Sequence, residues 1–534
     1  MRLEDAETVL GINDRSKIPS MGSARFHIFS VPCLTEGNEE LVTISIVDLT
    51  IVLVYTIAVV IFGMWIGRGQ TELSGYLLGG RDLPWWAIMG SIVATETSTA
   101  TFLSVPGLSF SEGGDLRFLQ LALGFCLGRM FVVVVLLPLY FRGQLFSAYE
   151  VLDKRFGVAT KRVASLMFLV ARNLGDGLRL FLAGIVLQQV AGFELFTCII
   201  IMGLLTIVYT FFGGMKAIVW TDCIQFVVYV GGAILAGILI LRQIPGGWDA
   251  WVEYGRSHDK FRLFDFSFDH RKTMTIWSGL IGGAMLTLGT HGTDQMMVQR
   301  YLSARGLRDA SLALIGSGVI IVLQFALFLM VGIALACFYA HFPPKTPFGR
   351  ADEVFATYIA TQMPVGVVGV LLAAVSSAAM STLSSSLNSS ASALVSDFYL
   401  PLRKIDFSSK HALHASQAFT ILFGLIQIAV GIAASYVSRS VVNDVLAIAG
   451  FTAGILLGLF ALGVLTTSVD QRGALIGMTA GLLVLTYVKF GTDLAWPWYA
   501  IVGSVTVFVV GCLSARILGE KVKPITTNFE SATA

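Results

Sequence analysis

The stretch LLAAVSSAAMSTLSSSLNSSASALVSDFYL, residues 371–400, combines the apolar character of a membrane helix with an unusual number of hydroxyl groups. Nine serines and one threonine lie between Ser376 and Ser392. In a bilayer each hydroxyl needs a partner, so a hydroxyl-rich helix face indicates polar packing contacts, bound water or a dehydrated cation. A cation on this face would make the chain a candidate ion-coupled transporter.

The composition indicates an integral membrane protein. The chain has 534 residues, of which 55% are hydrophobic and 13% are charged, and its mean hydropathy is +0.78, well above the values of soluble domains. The net charge of +2 and the lack of a basic run give no indication of a nucleic-acid partner. The six cysteines have no CxxC or paired spacing, so we expect neither a disulfide framework nor a zinc site.

Thirteen segments are apolar and long enough to cross a membrane. They span residues 45–66, 86–110, 117–141, 159–190, 194–213, 218–242, 274–299, 311–340, 366–399, 414–437, 441–467, 473–490 and 495–516. Lysines and arginines cluster in alternate loops, including one loop to which we assign Arg300, Arg305 and Arg308. The positive-inside rule places these loops in the cytoplasm. We therefore predict a multi-pass cell-membrane protein with its N-terminus outside and its C-terminus in the cytoplasm.

The ends of the chain differ from its middle. Residues 1–40 are polar and of mixed charge, and they lack the apolar h-region of a signal peptide, so they are predicted to be a disordered N-terminal extension. Residues 41–518 are predicted to form one membrane transporter domain. Residues 519–534 are a short polar segment that we expect to be a cytoplasmic tail.

Two of the segments are predicted to be broken helices. GSIVATETSTATFLSVPGLSF, residues 90–110, has β-branched and hydroxyl residues at its centre, and LGTHGTDQ, residues 288–295, contains two glycines. Broken helices at corresponding positions of two halves are typical of transporters built from inverted repeats. The spacing predicts an all-α, five-plus-five inverted repeat with core repeats at about 86–242 and 274–467, whose first and sixth core helices are broken. Alternatively, the glycines only allow close helix packing.

Five strings along the chain resemble the sodium/solute symporter family, which includes the sodium/proline, sodium/galactose and sodium/sialic acid symporters. They are ATETSTATFLSVPG (94–107), SAYEVLDKRFG (147–157), FFGGMKAIVWTDCIQ (211–225), GTDQMMVQRYLSARGLRDA (292–310) and AAMSTLSSSLNSSASALVSDFY (378–399). The resemblance implies the fold of the bacterial leucine transporter, with a sodium site between the first and eighth core helices.

Five residues are predicted to bind this sodium ion, Na⁺, which would be the coupling ion. A small hard cation binds well to several uncharged oxygens, and Ala378, Ser381 and Thr382 share one helix face. The resemblance implies that the Ala378 carbonyl and the two hydroxyls act as ligands together with the carbonyls of Ala94 and Thr97. The alternative is that the hydroxyls bond back to carbonyls four residues earlier.

A second sodium site is predicted from the resemblance to the sialic acid type. Its candidate ligands are Asp222 in WTDCIQ and the hydroxyls of Ser381, Ser384 and Ser385. A carboxylate within the membrane costs at least ~2.5 kcal/mol, so Asp222 should have a partner. We therefore predict two sodium ions per cycle. In the alternative, Asp222 lies near the cytoplasmic end of its helix, where it is hydrated or paired with Lys216.

The predicted substrate pocket comes from the two breaks and the helix that follows the first. Its candidate residues are Thr95, Glu96, Thr99, Thr101, Gln120, Thr287, Thr290 and His291. Sugar transporters of the family use asparagine, glutamine and tyrosine in the pocket, so the residues at these positions argue against a galactose-like substrate.

Three arginines lie inside apolar segments, namely Arg129, Arg172 and Arg179. A guanidinium binds a carboxylate through two parallel hydrogen bonds, so Arg129 or Arg172 is a candidate contact for an anionic or polyhydroxy substrate. The alternative is internal pairing, of Arg129 with Glu96 and of Arg172 or Arg179 with Asp176.

The sequence therefore predicts a secondary active symporter that imports a small polar organic solute by alternating access and acts as a monomer in the lipid bilayer. Motifs of hydrolases and nucleotide-driven pumps, such as HExxH, GxSxG and GxxxxGKS, do not occur, so we do not expect an enzyme. The alternative is a proton-coupled or uncoupled transporter of the same fold.

Overall fold

The computed structural model describes residues 45–519, except 69, 71, 143, 144, 192, 345, 346, 352, 408 and 438–440. The predicted N-terminal extension and all but the first residue of the predicted tail therefore lie outside the described residues. Within the described part the chain forms helices and loops and has no β-strand.

Twenty α-helices follow one another in the described part of the chain. They are α1 (Ile46–Ile66), α2 (Leu73–Leu78), α3 (Trp85–Glu96), α4 (Thr99–Phe110), α5 (Leu119–Phe131), α6 (Leu137–Tyr140), α7 (Glu150–Phe156), α8 (Val158–Ala191), α9 (Leu195–Gln243), α10 (Gly247–Ser257), α11 (Gly283–Gly292), α12 (Gln295–Leu302), α13 (Leu307–His341), α14 (Glu353–Gln362), α15 (Val367–Leu394), α16 (Leu400–Arg403), α17 (Lys410–Val437), α18 (Val441–Leu465), α19 (Gln471–Gly491) and α20 (Tyr499–Ile517). Three π-helical turns, Val132–Leu136, Ser278–Gly282 and Val395–Tyr399, adjoin α5, α11 and α15.

Nine helical segments of the described residues are long and apolar enough to cross a membrane. They are Ile46–Ile66, Leu119–Tyr140, Leu195–Gln243, Leu307–His341, Val367–Arg403, Lys410–Tyr436, Ile448–Leu465, Gln471–Gly491 and Trp496–Ile517. Nine segments, rather than the thirteen predicted, meet these criteria for local reasons. Segments 86–110 and 274–299 are divided into short helices, the segment at 159–190 carries several charges, and segments 194–213 and 218–242 form one helical run.

That long run, α9, is bent at Gly214. This residue has φ 54° and ψ −162°, a conformation that glycine adopts far more easily than any residue with a Cβ. A Cβ at this position would also lie 2.6 Å from the main-chain oxygen of Tyr76. The bend therefore depends on glycine, both for its dihedral angles and for the close approach of a neighbouring chain segment.

The structure contains a break in both segments in which the sequence predicts one. Helix α3 ends at Glu96, and Thr97 and Ser98 are extended before α4 begins. Helix α11 ends at Gly292, and Asp294 has extended dihedral angles and accepts a hydrogen bond from the main chain of α12. Each break exposes main-chain groups that an unbroken helix would pair internally.

The hydroxyl-rich helix α15 lies at the centre of the bundle. It packs against α1, α3, α8, α9, α12 and α17, and all of its residues from Leu371 to Ala393 are buried. Its hydroxyls therefore face other helices rather than lipid, as the polar composition of this stretch predicts.

The assignment of Arg300 to a loop is wrong. Arg300 lies in α12 and its side chain is completely buried, whereas the side chain of Arg305, a few residues later, is 57% exposed. A rule that counts charges in loops does not detect an arginine whose charge is balanced by partners from distant helices.

Candidate functional site

The end of α3 and the middle of α15 meet at the predicted first sodium site. Because α3 stops at Glu96, its last carbonyls lose their helical partners. The Thr382 hydroxyl donates to the Thr95 carbonyl over 3.0 Å and also reaches the Ala378 carbonyl at 3.3 Å. The bond back to residue 378 that we considered as the alternative is therefore present, alongside a contact to the broken helix.

The predicted ligands at this site are buried. The Ser381 hydroxyl makes no hydrogen bond of regular geometry to the rest of the described chain and interacts with the carboxylate of Asp222. The Thr97 hydroxyl donates to the Val93 carbonyl and accepts from Gln324 at 2.5 Å, which leaves the Thr97 carbonyl as its candidate ligand atom. Neutral carbonyl and hydroxyl oxygens are a suitable donor set for a small hard cation.

The guanidinium of Arg300 lies among the residues predicted to bind a second sodium ion. Its Nη2 lies 3.4 Å from Oδ2 of Asp222 and donates to the hydroxyls of Thr95 and Ser385. Its Nε donates to the Ser91 hydroxyl over 2.9 Å. Two of the four predicted ligands therefore contact a cation that belongs to the chain itself.

The two oxygens of Asp222 differ in their partners. Its Oδ2 accepts a 2.5 Å hydrogen bond from Ser91, whereas its Oδ1 is buried and makes no hydrogen bond of regular geometry within the described residues. The Ser381 hydroxyl interacts with the same carboxylate. The Ser384 hydroxyl donates to the Ser381 carbonyl over 3.2 Å. Asp222 is completely buried and paired with the guanidinium rather than with Lys216, which differs from the hydrated position near the helix end that we considered as the alternative.

A second polar cluster joins the break of α3 to α5 and α11. Arg129 is fully buried and forms a salt bridge with Glu96, and its Nη2 lies 3.1 Å from Nε2 of His291. The Nδ1 atom of the same imidazole is 3.2 Å from the Thr290 hydroxyl. The Nε and Nη1 atoms of Arg129 have no hydrogen-bond partner among the residues described. The internal pair that we considered is thus present, but part of the guanidinium is unused.

Arg172 connects α8 to the second break. It forms a salt bridge with Asp294, which caps α12 by accepting from the Met296 main chain at 2.9 Å. Asp176 lies 3.6 Å from Arg172 and also pairs with Arg179. Both pairings of the alternative interpretation therefore exist, and Arg172 has two carboxylate neighbours.

The structure does not place Gln120 close to Arg129. Its Oε1 accepts from the main chain of Asp265 at 3.1 Å, and its Nε2 donates to the Arg117 carbonyl over 3.1 Å. At 1.5 Å per residue, the nine positions between Gln120 and Arg129 correspond to about 13 Å along α5. In this structure Gln120 therefore anchors the loop that precedes α11.

The remaining threonines of the predicted pocket make packing or capping contacts at the two broken segments. The Thr99 hydroxyl is 3.5 Å from the Val375 carbonyl of α15. The main-chain N–H of Thr101 donates to the Ser98 hydroxyl over 3.4 Å, which caps α4. Thr287 packs directly against a glycine of α5.

Several polar residues near these clusters are absent from the sequence prediction. They are Ser91, Asp294, Arg300, Gln324 and Tyr229, whose hydroxyl lies 3.2 Å from Gln324. Two of them could have been identified from the sequence. Gln324 is a single polar residue within an apolar segment, which is typical of a functional position, and Arg300 lies in the QRYL string that resembles the family.

Comparisons with known proteins identify the family of the chain. The model of the sodium:solute symporter family matches residues 76–481. The sodium/sialic acid symporter SiaT of Proteus mirabilis is 26% identical over 478 residues, which cover 87% of this chain and 93% of that protein. The human sodium/iodide cotransporter is 30% identical over 453 residues, which cover 82% of this chain and 68% of that protein.

Solved structures show the same fold. A sodium-coupled sialic acid symporter in a substrate-bound, outward-open state has a TM-score of 0.81 at 27% identity, with 89% of this chain and 98% of that chain covered. A nucleobase-cation-symport-1 family transporter in a closed conformation has a TM-score of 0.54 at 14% identity and covers 86% of this chain and 97% of that one, a likeness of fold alone. The chain belongs to the sodium:solute symporter family, and sodium is its coupling ion.

Proposed function

We propose that the protein imports a small polar solute together with sodium, and that sodium binds between the break of α3 and the hydroxyl face of α15. The proposed ligands are the carbonyls of Ala94, Thr97 and Ala378 and the hydroxyls of Ser381 and Thr382. The observation that carries the proposal is the contact of Thr382 with the Thr95 carbonyl beside the buried Ser381 hydroxyl.

Sodium at this position would act through its different affinity for two arrangements of the helices. An ion held by α3 and α15 together stabilises arrangements in which these helices are in contact, and its release favours their separation. One positive charge that moves through 100 mV of membrane potential releases ~2.3 kcal/mol, which adds to the sodium concentration gradient. The solute would then bind at the same break after the ion has bound.

The wider architecture is part of the proposal. We propose thirteen spans in one membrane domain, residues 41–518, with a five-plus-five inverted repeat in which the segments at 86–110 and 274–299 are the broken first and sixth core helices. The two breaks and the similarity to the sialic acid symporter structure support this proposal. The alternation of basic loops supports an N-terminus outside the cell membrane and a C-terminus in the cytoplasm. Action as a monomer stays a prediction from the sequence.

For the substrate we propose a small anion that is bound close to the two breaks. The proposed contacts are Thr95, Glu96, Thr99, Thr101, Arg129, Arg172, Thr287, Thr290 and His291. Two observations support an anion. Arg129 has unused guanidinium donors beside the break of α3, and sialic acid, iodide and monocarboxylates appear in the names of the similar transporters.

Uptake into proteoliposomes tests the coupling ion. We expect accumulation of the solute to stop when external sodium is replaced by choline, and to persist when a proton gradient is abolished by an ionophore. Uptake that continues in choline and follows the proton gradient would instead support the proton-coupled alternative.

Substitution of the two arginines tests the substrate class. We expect Arg129→Gln or Arg172→Gln to weaken binding of an anionic solute about tenfold or more, because a charged hydrogen-bond donor is lost. Arg305→Gln, which removes an exposed charge, is the matched control. Unchanged solute affinity in both pocket variants would contradict an anion contact at either arginine.

A further inference from the structure

A loop segment between α10 and α11 turns its aromatic side chains away from the protein. Residues 263–269 are outside any helix, and Phe264, Phe266 and Phe268 are 42%, 70% and 80% exposed. Asp265, which lies between the first two, is only 5% exposed. Successive side chains of an extended segment point to opposite sides. The segment therefore has an aromatic outer face and a polar inner face, which is the reverse of the arrangement expected beside water.

We propose that this aromatic face, formed by Phe264, Phe266 and Phe268, lies in the interfacial region of the lipid bilayer. The partner is phospholipid, with the rings packed among the upper parts of the acyl chains. Arg271 and Lys272 follow the aromatic face, and both are exposed, so they are placed to contact the lipid phosphates. Apolar rings beside basic residues are the composition of segments that lie in a membrane interface. In the proposed orientation this surface belongs to the outer leaflet.

The inner face of the segment is held firmly to the bundle. The main-chain N–H of Asp265 donates to Oε1 of Gln120 over 3.1 Å, and its main-chain oxygen accepts from the N–H of Ile276 at 2.8 Å. The Asp265 carboxylate lies 3.3 Å from Nη1 of Arg117. Burial of the rings by rotation of the segment would break these contacts and leave a carboxylate outside. The aromatic residues are therefore fixed on the outer side.

The aromatic face lies at the level where a span begins. The Trp277 ring packs edge-on against Phe268 with 6.1 Å between ring centroids, and its Nε1 donates to the Phe266 carbonyl over 3.3 Å. The π-helical turn that follows Trp277 packs against the start of the last span, because a Cβ on Gly282 would lie 2.8 Å from the main-chain oxygen of Pro497. Tryptophan at such a position is typical of the border between lipid and water.

The neighbouring surface indicates lipid rather than a second copy of the chain. The His270 carbonyl accepts a hydrogen bond from the N–H of Ala495 at 3.0 Å, which joins the loop to the turn between α19 and α20. Tyr487 and Phe490, in the last turns of α19 before this turn, are 69% and 80% exposed. Because α19 is long and apolar enough to cross a membrane, its exposed rings form part of an aromatic belt. The aromatic face of the loop continues that belt.

Photochemical cross-linking in proteoliposomes of phosphatidylethanolamine and phosphatidylglycerol tests this inference. Phe266→p-benzoylphenylalanine replaces an exposed ring by a photoreactive one in the full-length protein. After illumination we expect intact-mass spectrometry to show a chain heavier by one phospholipid. Glu253→p-benzoylphenylalanine is the matched control, because Glu253 is an exposed residue of α10, and we expect it to give at least fivefold less of this adduct.

A measurement on the native protein covers the case in which the variant does not fold. A phosphatidylcholine with a diazirine near its glycerol backbone should label the peptide that contains residues 263–277, and it should label the peptide that contains Glu253 at least fivefold less. An adduct of two chains at position 266 would show that the aromatic face binds a second copy, which would overturn the inference. Lipid adducts no more abundant than in the control would also overturn it, since the face would then lie in water. Neither result affects the proposed sodium coupling, which uptake measurements test separately.

Discussion

The hydroxyl of Thr382 donates a hydrogen bond to the main-chain oxygen of Thr95 over 3.0 Å, although the two residues are 287 positions apart in the chain. Thr95 belongs to the last turn of α3 and Thr382 to the middle of α15. This bond joins the broken helix to the hydroxyl-rich helix at the place where the coupling ion is proposed to bind.

Removal of the Thr382 hydroxyl should weaken sodium binding. For Thr382→Val we expect the sodium concentration for half-maximal uptake to rise about tenfold or more, because the loss of one oxygen contact to a charged group costs about 1.5–3 kcal/mol. Thr479→Val removes a hydroxyl that only bonds back to the Leu475 carbonyl, and it should leave this concentration unchanged. Equal effects of both substitutions would mean that the role of Thr382 is structural.

The close packing of α5 against α11 should not tolerate a methyl group at Gly128. A Cβ there would lie 2.5 Å from the Ala284 oxygen and 2.8 Å from the Cβ of Thr287. We expect Gly128→Ala to destabilise the protein by about 1–3 kcal/mol, as overpacked cores do. Gly231→Ala in α9 meets no atom within 4 Å and should be neutral or stabilising. Thermal denaturation in detergent distinguishes the two variants.

The pair formed by Glu96 and Arg129 should be strongly coupled in stability. Arg129 is completely buried and the Glu96 side chain is 18% exposed. Removal of either charge alone leaves the other uncompensated, which costs about 3–5 kcal/mol in buried pairs. We expect Glu96→Gln/Arg129→Gln to be more stable than Arg129→Gln. Additive losses of melting temperature in a double-mutant cycle would show that the pair is not coupled.

A separate charge cluster at one end of α15 should also contribute to stability. Lys161 lies 3.7 Å from the fully buried Asp397 and 3.3 Å from Asp153, whose side chain is 31% exposed. We expect Lys161→Met to cost about 3 kcal/mol, since it leaves Asp397 uncompensated. Asp153→Asn removes the more exposed partner and should cost less than about 1 kcal/mol. Melting temperatures of the two variants in the same detergent provide the comparison.

The sequence predicts the two breaks because their causes are local. Glycines and clustered β-branched residues in the middle of an apolar segment lower the intrinsic helix propensity at that point. The breaks at Thr97 and Asp294 lie within the strings in which they are expected. The face shared by Ala378, Ser381 and Thr382 is likewise local, since helix spacing alone determines it.

The partners of the charged residues are predicted less well. Glu96 does pair with Arg129 as one interpretation suggests, but Asp222 pairs with Arg300, which we assign to a loop from the sequence. Helix periodicity relates residues three or four positions apart and carries no information about contacts between distant helices. Gln120 shows the same limit, because its partner Asp265, 145 positions away, can be identified only in the folded chain.

The sequence by itself determined that this chain is helical, lies in a membrane and presents a face of hydroxyl oxygens. A bilayer requires each spanning segment to satisfy its own main-chain groups, so apolar length and polar spacing can be read one segment at a time. Only the tertiary structure decided which oxygens meet and which cation lies beside Asp222. Those contacts join residues from several helices, and the energy of a buried charge depends on partners that packing alone brings within reach.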